Sequence, residues 1–316
     1  MAPATSVSIF VIHSKKLGGR NIIIDKITNA IKKGDTNSDI IVDKLEIIDK
    51  WDSEELTEND INRFVSIGGQ DIIPPFDKFV TPIHINQLSN ALKHTEALKR
   101  SSESGSSVNL VLEDDVLFNE DTLHRDLAKT IKHAPRAWGM LFLGLPFSPS
   151  TELDEGVDYP SQPPLYTRPR YQPTEKIFKA VIPSCESYVI TSTDAKNMFE
   201  SMLPIRFQTH VHLSWILWRQ ILQGPAAFRN SVQSPRSFIV TPNIFIDGSK
   251  LGAFTSTLNI NNRLSWNPAY VKLAQLIRNQ PNKQRSLCFR DMRNYPKHTG
   301  NDDPNDQEQQ NTAICR

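Results

Sequence analysis

Three adjacent carboxylates interrupt an apolar run in the first half of the chain. Glu113, Asp114 and Asp115 follow Leu110-Val111-Leu112 and precede Val116-Leu117-Phe118. Three ionised groups repel one another, and an apolar strand solvates them poorly. A divalent cation such as Mg²⁺ or Mn²⁺ would offset the repulsion, because hard ions bind carboxylate oxygens together with substrate phosphates. The run therefore predicts a nucleotide-phosphate site, and a strand that ends in an acidic turn is the alternative interpretation.

The composition excludes several classes of protein. The 316 residues carry 36 basic and 35 acidic side chains, so the formal net charge of +1 gives no global field for nucleic acid or an anionic membrane. Cys185, Cys288 and Cys315 lie far apart, and their spacing indicates neither a zinc site nor a disulfide framework. The amino terminus lacks a basic leader, and no run reaches the roughly 20 apolar residues that cross a bilayer. We therefore expect a cytoplasmic protein without a transmembrane segment or a nucleic-acid partner.

Apolar runs alternate with amphipathic segments, which is typical of strands and helices in an α/β sheet. Strands are predicted at Val7–Ile12, Lys44–Ile48, Leu110–Phe118, Trp138–Gly144, Ser187–Ile190 and Phe238–Ile246. Helices are predicted at Asn21–Lys32, Thr81–Arg100, Asp121–Lys132, His210–Leu222 and Tyr270–Arg278, with a further helix that ends near Ser201. Thr193 or Asp194 is the predicted N-cap of that further helix, because both side chains can accept a hydrogen bond from an exposed backbone N–H.

Two segments lack any clear periodicity. Pro146–Pro173 is rich in Pro, Ser and Tyr, which predicts a long active-site or surface loop. Residues 279–316 are rich in polar side chains, which predicts a flexible tail. The sequence therefore predicts one folded domain, residues 1–278, followed by a tail, residues 279–316.

Several motifs follow one another in a distinctive order. The run Leu88-Ser89-Asn90-Ala91-Leu92-Lys93-His94 precedes the acidic strand, and Leu141–Gly144, Ser187–Thr191 and Ile246–Lys250 come after it. In this order the chain resembles the family 25 glycosyltransferases, which include bacterial lipooligosaccharide galactosyltransferases and collagen galactosyltransferases, over about residues 7–265. It is also similar, around Gly248 to Asn259, to enzymes of large algal viruses. It departs from the family pattern at Lys93, where a serine is expected, and near His210 and His212, where relatives often have an aspartate.

The resemblance implies an α/β fold: a GT-A-type single nucleotide-sugar-binding domain with a mixed, mostly parallel central sheet flanked by helices. It also implies a metal-dependent glycosyltransferase that uses Mn²⁺ or Mg²⁺ and a nucleotide sugar, with UDP as the carrier. Galactose, glucose and xylose stay open as the sugar, the acceptor is a glycan or glycoprotein, and transfer proceeds with inversion. A viral origin would place the enzyme in the host cytoplasm.

Individual residues have expected roles, partly from the resemblance and partly because ligands of α/β sheets bind at the carboxyl ends of strands. Metal binding is expected at Glu113 and Asp115, which share one face of an extended strand because side chains alternate. Asp115 is the first candidate for direct metal contact, and Glu113 is expected at the donor ribose or at a metal-bound water. Donor contacts are expected at the ends of strands and at the late glycine turn, namely at His13, Ser14, Arg20, Asn90, His94, Glu113, Asp114, Gly248, Ser249 and Lys250.

Inverting transfer requires a base that takes the proton of the acceptor hydroxyl. Glu186, His212 and Asp247 are the catalytic candidates, with His210 as a further one. Each also has a structural interpretation: a solvated strand-edge carboxylate, a polar edge of an aromatic helix, or an Asx-type turn before glycine.

Two other functions stay open. A metal-dependent nucleotidyltransferase could use the same acidic strand, but it would require a second carboxylate cluster for a second ion. A catalytically inactive relative that acts as a binding protein is the other alternative. The missing aspartate near His210 leaves it open, whereas the intact Glu113-Asp114-Asp115 triplet argues against it.

Overall fold

A mixed seven-stranded sheet forms the centre of the computed structural model, which describes residues 4–33, 39–66, 83–144, 169–174, 182, 185–223, 236–241 and 243–249. The strands are Thr5–Ile12 (β1), Ile40–Ile48 (β2), Val108–Glu113 (β3), Val116–Leu117 (β4), Met140–Phe142 (β5), Arg170–Pro173 (β6), Ser187–Thr191 (β7), Ser237–Thr241 (β8) and Ile246–Asp247 (β9). The helices are Asn21–Lys32 (α1), Glu58–Phe64 (α2), Ile85–Glu103 (α3), Leu123–Lys132 (α4), Ser192–Ser201 (α5) and Thr209–Gln223 (α6).

The order of strands in the sheet is β2-β1-β3-β7-β5-β8-β6. β1 pairs in parallel with β2 on one side and with β3 on the other. β7 is antiparallel to both β3 and β5, β5 is parallel to β8, and β6 is antiparallel to β8. Among these seven strands only β7 and β6 are reversed, so the prediction of a mixed, mostly parallel α/β sheet with flanking helices is confirmed.

β1 and β3 are buried on both faces, which explains why each reads as a continuous apolar run. Ile9, Phe10 and Val11 in β1, and Leu110 and Val111 in β3, have no exposed surface. α3 packs against β1 and α5, and α1 packs against α4. No helix within the described segments is long and apolar enough to cross a membrane.

The acidic run is not one strand to Phe118, as the sequence predicted. β3 ends at Glu113, Asp114 and Asp115 form a turn, and the short β4 follows. The predicted strand Phe238–Ile246 also divides into β8 and β9. The turn in the acidic run is hidden because Asp114 is buried and bonds to the distant residues His13 and Arg20.

Other boundaries differ as well. α5 begins at Ser192 with Thr191 as its N-cap, two or three residues before the predicted Thr193 or Asp194. α3 begins at Ile85 because His84 caps it in a capping box. The helix continues to Glu103. The predicted loop Pro146–Pro173 ends in a strand, since Arg170–Pro173 pairs with β8.

Some predictions fall outside the described residues. They concern residues 146–168 of the loop, the helix Tyr270–Arg278 and the tail at 279–316. The chain divides into two compact units, one comprising residues 1–145 and 169–246 and the other residues 146–168 and 247–316. The division into a domain, 1–278, and a tail, 279–316, stays a prediction.

Candidate functional site

The acidic turn lies where the carboxyl ends of β1 and β3 meet. The backbone N–H of Asp114 donates to the carbonyl of Ile12, the last residue of β1, at 3.0 Å. The N–H of Glu113 donates to the carbonyl of Glu186 at 2.8 Å. Because β7 is antiparallel to β3, the start of β7 and the end of β3 lie at the same edge of the sheet. His13 and Ser14, which follow β1, share this edge with the turn.

Asp114 ties the end of β1 to the end of β3. Its Oδ2 accepts from the backbone N–H of Ser14 at 3.2 Å and lies 2.7 Å from His13 Nδ1. Its Oδ1 accepts from Arg20 Nη1 at 2.5 Å. Burial would raise the pKa of Asp114, but the hydrogen bonds from His13 and Arg20 and the charge of Arg20 hold that pKa below its ordinary value. Asp114 is therefore an ionised, buried anchor.

Arg20 supplies positive charge beside the carboxylates, where the sequence analysis expected a bound metal ion. Its Nη1 lies 3.5 Å from Asp115 Oδ2 as well as within hydrogen-bonding distance of Asp114. Burial would lower the pKa of Arg20, but the charges of Asp115 and Asp114 raise it above its ordinary value. The mutual repulsion of the carboxylates is thus offset by the chain itself. Metal binding by Asp115 stays a prediction.

Glu113 points to a different set of partners. Its Oε1 accepts from Asn90 Nδ2 at 3.2 Å and lies 3.1 Å from His94 Nε2. His94 Nδ1 in turn lies 3.1 Å from the hydroxyl of Tyr188. Burial, followed by the nearby Cys185 and Glu113, raises the pKa of Tyr188 well above its ordinary value, so the phenol stays protonated. The structure thus brings the predicted Asn90, His94 and Glu113 together.

Cys185 joins this group although its sequence spacing gave no sign of a metal site. One ligand atom each from His94, Glu113 and Cys185 lies within 4.8 Å of the others, and both His94 and Cys185 are buried. In the part of the chain that the structure describes, this is the one group of three such residues. A sheet pairing between distant strands creates the group, so no local motif could have revealed it.

Glu186, the first candidate base, is buried beside Gly144 at the same edge. A Cβ placed on Gly144 would lie 2.1 Å from Glu186 Oε1 and 2.9 Å from Ser187 Oγ. Ser187 Oγ and both polar side-chain atoms of Asn243 are buried without a hydrogen-bond partner among the described residues. Such atoms are rare in folded proteins. The sequence analysis missed Ser187 and Asn243, because only burial distinguishes them from other polar residues.

His212 lies in the core. It is fully buried, its Nε2 lies 2.8 Å from the carbonyl of Met202, and its ring stacks on Trp215 at a centroid distance of 5.5 Å. Burial, more than the nearby charge of Arg206, lowers the pKa of His212 to about 4. The structure does not bring His212 to the acidic turn, and the carbonyl of His210 accepts a hydrogen bond from Ser214 within the same helix.

A buried ion pair supports the end of β1. Lys93 Nζ donates to Asp52 Oδ1 at 2.5 Å and to the carbonyl of His13 at 2.6 Å. Asp52 Oδ2 accepts from the backbone N–H of Lys15 at 3.0 Å. Burial would raise the pKa of Asp52, but Lys93 holds that pKa below its ordinary value. Lys93, at the position where the sequence resemblance led us to expect a serine, therefore positions the loop that carries His13.

The late motif, Ile246–Lys250, divides between the two compact units. Asp247, Gly248 and Ser249 belong to the second compact unit, and their expected roles stay predictions. Lys250 lies outside the described residues.

Comparison with known proteins gives only distant similarities. No protein-family model matches the chain, and no curated protein matches it in sequence. The apo form of mouse xyloside xylosyltransferase 1 is 8% identical with a TM-score of 0.34, over 77% of this chain and 98% of that one. The galactosyltransferase LgtC, in complex with donor and acceptor sugar analogs, is 8% identical with a TM-score of 0.32, over 85% of this chain and 95% of that one. Similarity at this level carries no argument about activity.

Proposed function

We propose that the chain is a GT-A-type glycosyltransferase that transfers galactose, glucose or xylose from a UDP-sugar to a glycan or glycoprotein acceptor, with inversion. One observation carries the proposal. The buried polar cluster around Asp114 lies between β1 and β3. The order of strands reverses here, because β2 lies on one side of β1 and the next strand along the chain, β3, lies on the other side. Open α/β sheets bind ligands at such a switch point, outside the carboxyl ends of the strands.

The residue types at this edge suit a nucleotide diphosphate. His13, Ser14 and Arg20 follow β1 and offer donors to phosphate oxygens, and Arg20 provides a buried permanent charge. The two oxygens of Asp114 already bond with these residues. The metal-binding role is therefore assigned by this proposal to Glu113 and Asp115. A divalent ion held there would supply positive charge to the departing diphosphate.

Glu186 is the proposed base. The acceptor hydroxyl oxygen forms a bond to the anomeric carbon while the bond from that carbon to the diphosphate oxygen breaks. The electron pair leaves with UDP, and the hydroxyl proton passes to the Glu186 carboxylate. Attack from the face opposite the leaving group inverts the anomeric configuration. Glu186 suits this role because its backbone pairs with Glu113 at the edge where the donor would bind.

Release of UDP from UDP-galactose, UDP-glucose and UDP-xylose tests the proposal, with water or a glycan as acceptor. We expect release from at least one donor, and a loss of roughly 10²–10⁴-fold in Glu186→Gln, since that range is typical of a removed general base. Glu120→Gln is the control, because Glu120 pairs with Lys26 at the surface. Full activity in Glu186→Gln would remove Glu186 from the mechanism, and no release from any donor would contradict the transferase.

The alternatives make different predictions in the same assay. A catalytically inactive relative would bind UDP without releasing it from any UDP-sugar. A nucleotidyltransferase with two ions requires a second carboxylate cluster, and the residues that the structure describes contain no such cluster beside Glu113. No observation favours either alternative over the transferase.

A further inference from the structure

His94, Glu113 and Cys185 bring three kinds of metal ligand to one place. They come from α3, the end of β3 and the segment just before β7. One nitrogen, one oxygen and one sulfur lie within 4.8 Å of one another. We propose that these three side chains bind a transition-metal ion of the zinc class. This inference deepens the proposed function, because Glu113 belongs to both sites, but binding of the ion itself does not require the transferase activity.

The donor set selects the class of metal. A thiolate and an imidazole are ligands that zinc and cobalt bind well, whereas Mg²⁺ prefers oxygen alone. His94 Nε2 and Glu113 Oε1 are 3.1 Å apart. Two tetrahedral ligands at zinc distances of about 2.0–2.2 Å stand roughly 3.4 Å apart. The two side chains therefore need to separate by only a few tenths of an ångström to admit an ion between them.

Neighbouring groups already orient the ligands. His94 Nδ1 lies 3.1 Å from the Tyr188 hydroxyl, which leaves Nε2 directed at Glu113. Metal-binding histidines usually have a partner of this kind on the other ring nitrogen. Asn90 Nδ2 holds the same Glu113 oxygen at 3.2 Å. Two of the three ligands, His94 and Glu113, are thus held in place by neighbouring side chains.

Three protein ligands are also typical of zinc sites that bind a substrate. Structural zinc sites have four protein ligands, whereas catalytic sites have three and keep one position for water or substrate. His94 has no exposed surface, while the side chain of Glu113 is 20% exposed. Of these two ligands, Glu113 is therefore the one that solvent reaches. A phosphate oxygen of the proposed donor would be a suitable fourth ligand.

Titration with Co²⁺ tests the site without any nucleotide. The chain has three cysteines, so the titration uses the Cys288→Ser/Cys315→Ser background, in which Cys185 is the remaining thiol. We expect one ion per chain, the visible bands of tetrahedral cobalt and a thiolate-to-cobalt charge-transfer band, all removed by excess Zn²⁺. Cys185→Ser should abolish the charge-transfer band, and Glu113→Gln should weaken binding at least tenfold.

A matched control and a second measurement keep the metal site testable even if a ligand variant fails to fold. His133→Gln should leave the titration unchanged, because the His133 imidazole bonds to the carbonyl of Lys129 at the end of α4 and is not one of the three proposed ligands. Zinc X-ray absorption of the same background then needs no further substitution: one sulfur and at least one imidazole per zinc are expected. A charge-transfer band that persists in Cys185→Ser, no cobalt spectrum, or zinc without sulfur would each overturn the inference.

The outcomes separate this inference from the proposed function. UDP binding with no cobalt or zinc binding would overturn the zinc-class site alone. Cobalt binding at Cys185 with no UDP binding would support the metal site and overturn the nucleotide-sugar site.

Discussion

Replacing Lys93 by methionine should destabilise the protein strongly, although the two side chains are similar in length and bulk. Lys93 and Asp52 are 3% and 4% exposed, and Lys93 Nζ donates to Asp52 Oδ1 at 2.5 Å. Without Lys93, the Asp52 carboxylate would keep only the Lys15 amide and the Ser14 hydroxyl as hydrogen-bond donors. The substitution thus leaves a buried charge without its counter-charge.

The magnitude follows from the desolvation of that charge. Removing one partner of a buried ion pair costs about 3–5 kcal/mol, whereas replacing both partners by apolar side chains is often close to neutral. Lys93→Met should therefore lower the free energy of unfolding by about 3–5 kcal/mol, which corresponds to a fall in Tm of roughly 6–20 °C. Lys93→Met/Asp52→Leu should cost less than either single substitution, with about 1 kcal/mol for the lost bond to the Lys15 amide.

Urea unfolding of the wild type, both single variants and the double variant measures this coupling. Lys132→Met is the control, since Lys132 forms an ion pair with Asp39 in which both side chains are more than half exposed, and it should change stability by less than about 1 kcal/mol. Additive costs in the double variant, or a cost below about 1 kcal/mol for Lys93→Met, would refute the reasoning.

Three further predictions concern other parts of the molecule. His212 has a pKa of about 4 in the folded protein, against an ordinary value of 6.5. Between these two pH values the unfolded chain therefore binds more protons than the folded one. The free energy of unfolding should fall by about 3 kcal/mol as the pH drops from 6.5 to 4. Urea unfolding from pH 7 to pH 4 should show this loss in the wild type and not in His212→Gln. Gly144→Ala should lower UDP release about 100-fold, because its Cβ would displace the Glu186 carboxylate. Thr191→Ala should cost about 1 kcal/mol in urea unfolding and Thr193→Ala less than about 0.5, since Thr191 accepts from the first turn of α5.

Each of these has a control or a contradicting outcome. Gly19→Ala is the control for Gly144→Ala, because a Cβ at Gly19 meets no atom within 4 Å. Equal pH slopes in the wild type and His212→Gln would show that His212 is not held neutral by burial. If Thr193→Ala lowered the free energy of unfolding more than Thr191→Ala, the result would support the N-cap predicted from the sequence and contradict Thr191.

The fold class was predictable because its signal is local. β1 and β3 are buried on both faces, and burial on both faces produces the unbroken apolar runs that the sequence shows. The end of β3 was not predictable from the same signal. Asp114 turns inward to Arg20 and His13, so the turn lies inside an apolar run instead of in a polar loop.

The candidate site was predictable only in part. His13, Arg20 and Asp114 meet because parallel strands end at a common edge, which a strand-end argument anticipates. The proximity of Cys185 to His94 depends on β7 lying antiparallel beside β3, and strand order leaves no mark in a local pattern. Lys93 was visible as a departure from the family pattern, but its partner was hidden for the same reason.

Calorimetric titration of UDP, with and without Mn²⁺, tests the central claim most directly. The wild type should bind one UDP per chain in a Mn²⁺-dependent manner, and Asp115→Ala should abolish that dependence. Asp121→Ala should bind like the wild type. Asp121 follows the acidic turn closely in the sequence, but its side chain is exposed and pairs with Lys33. Equal binding in Asp115→Ala and the wild type, or no binding of UDP by the wild type, would contradict a nucleotide-sugar site at the acidic turn.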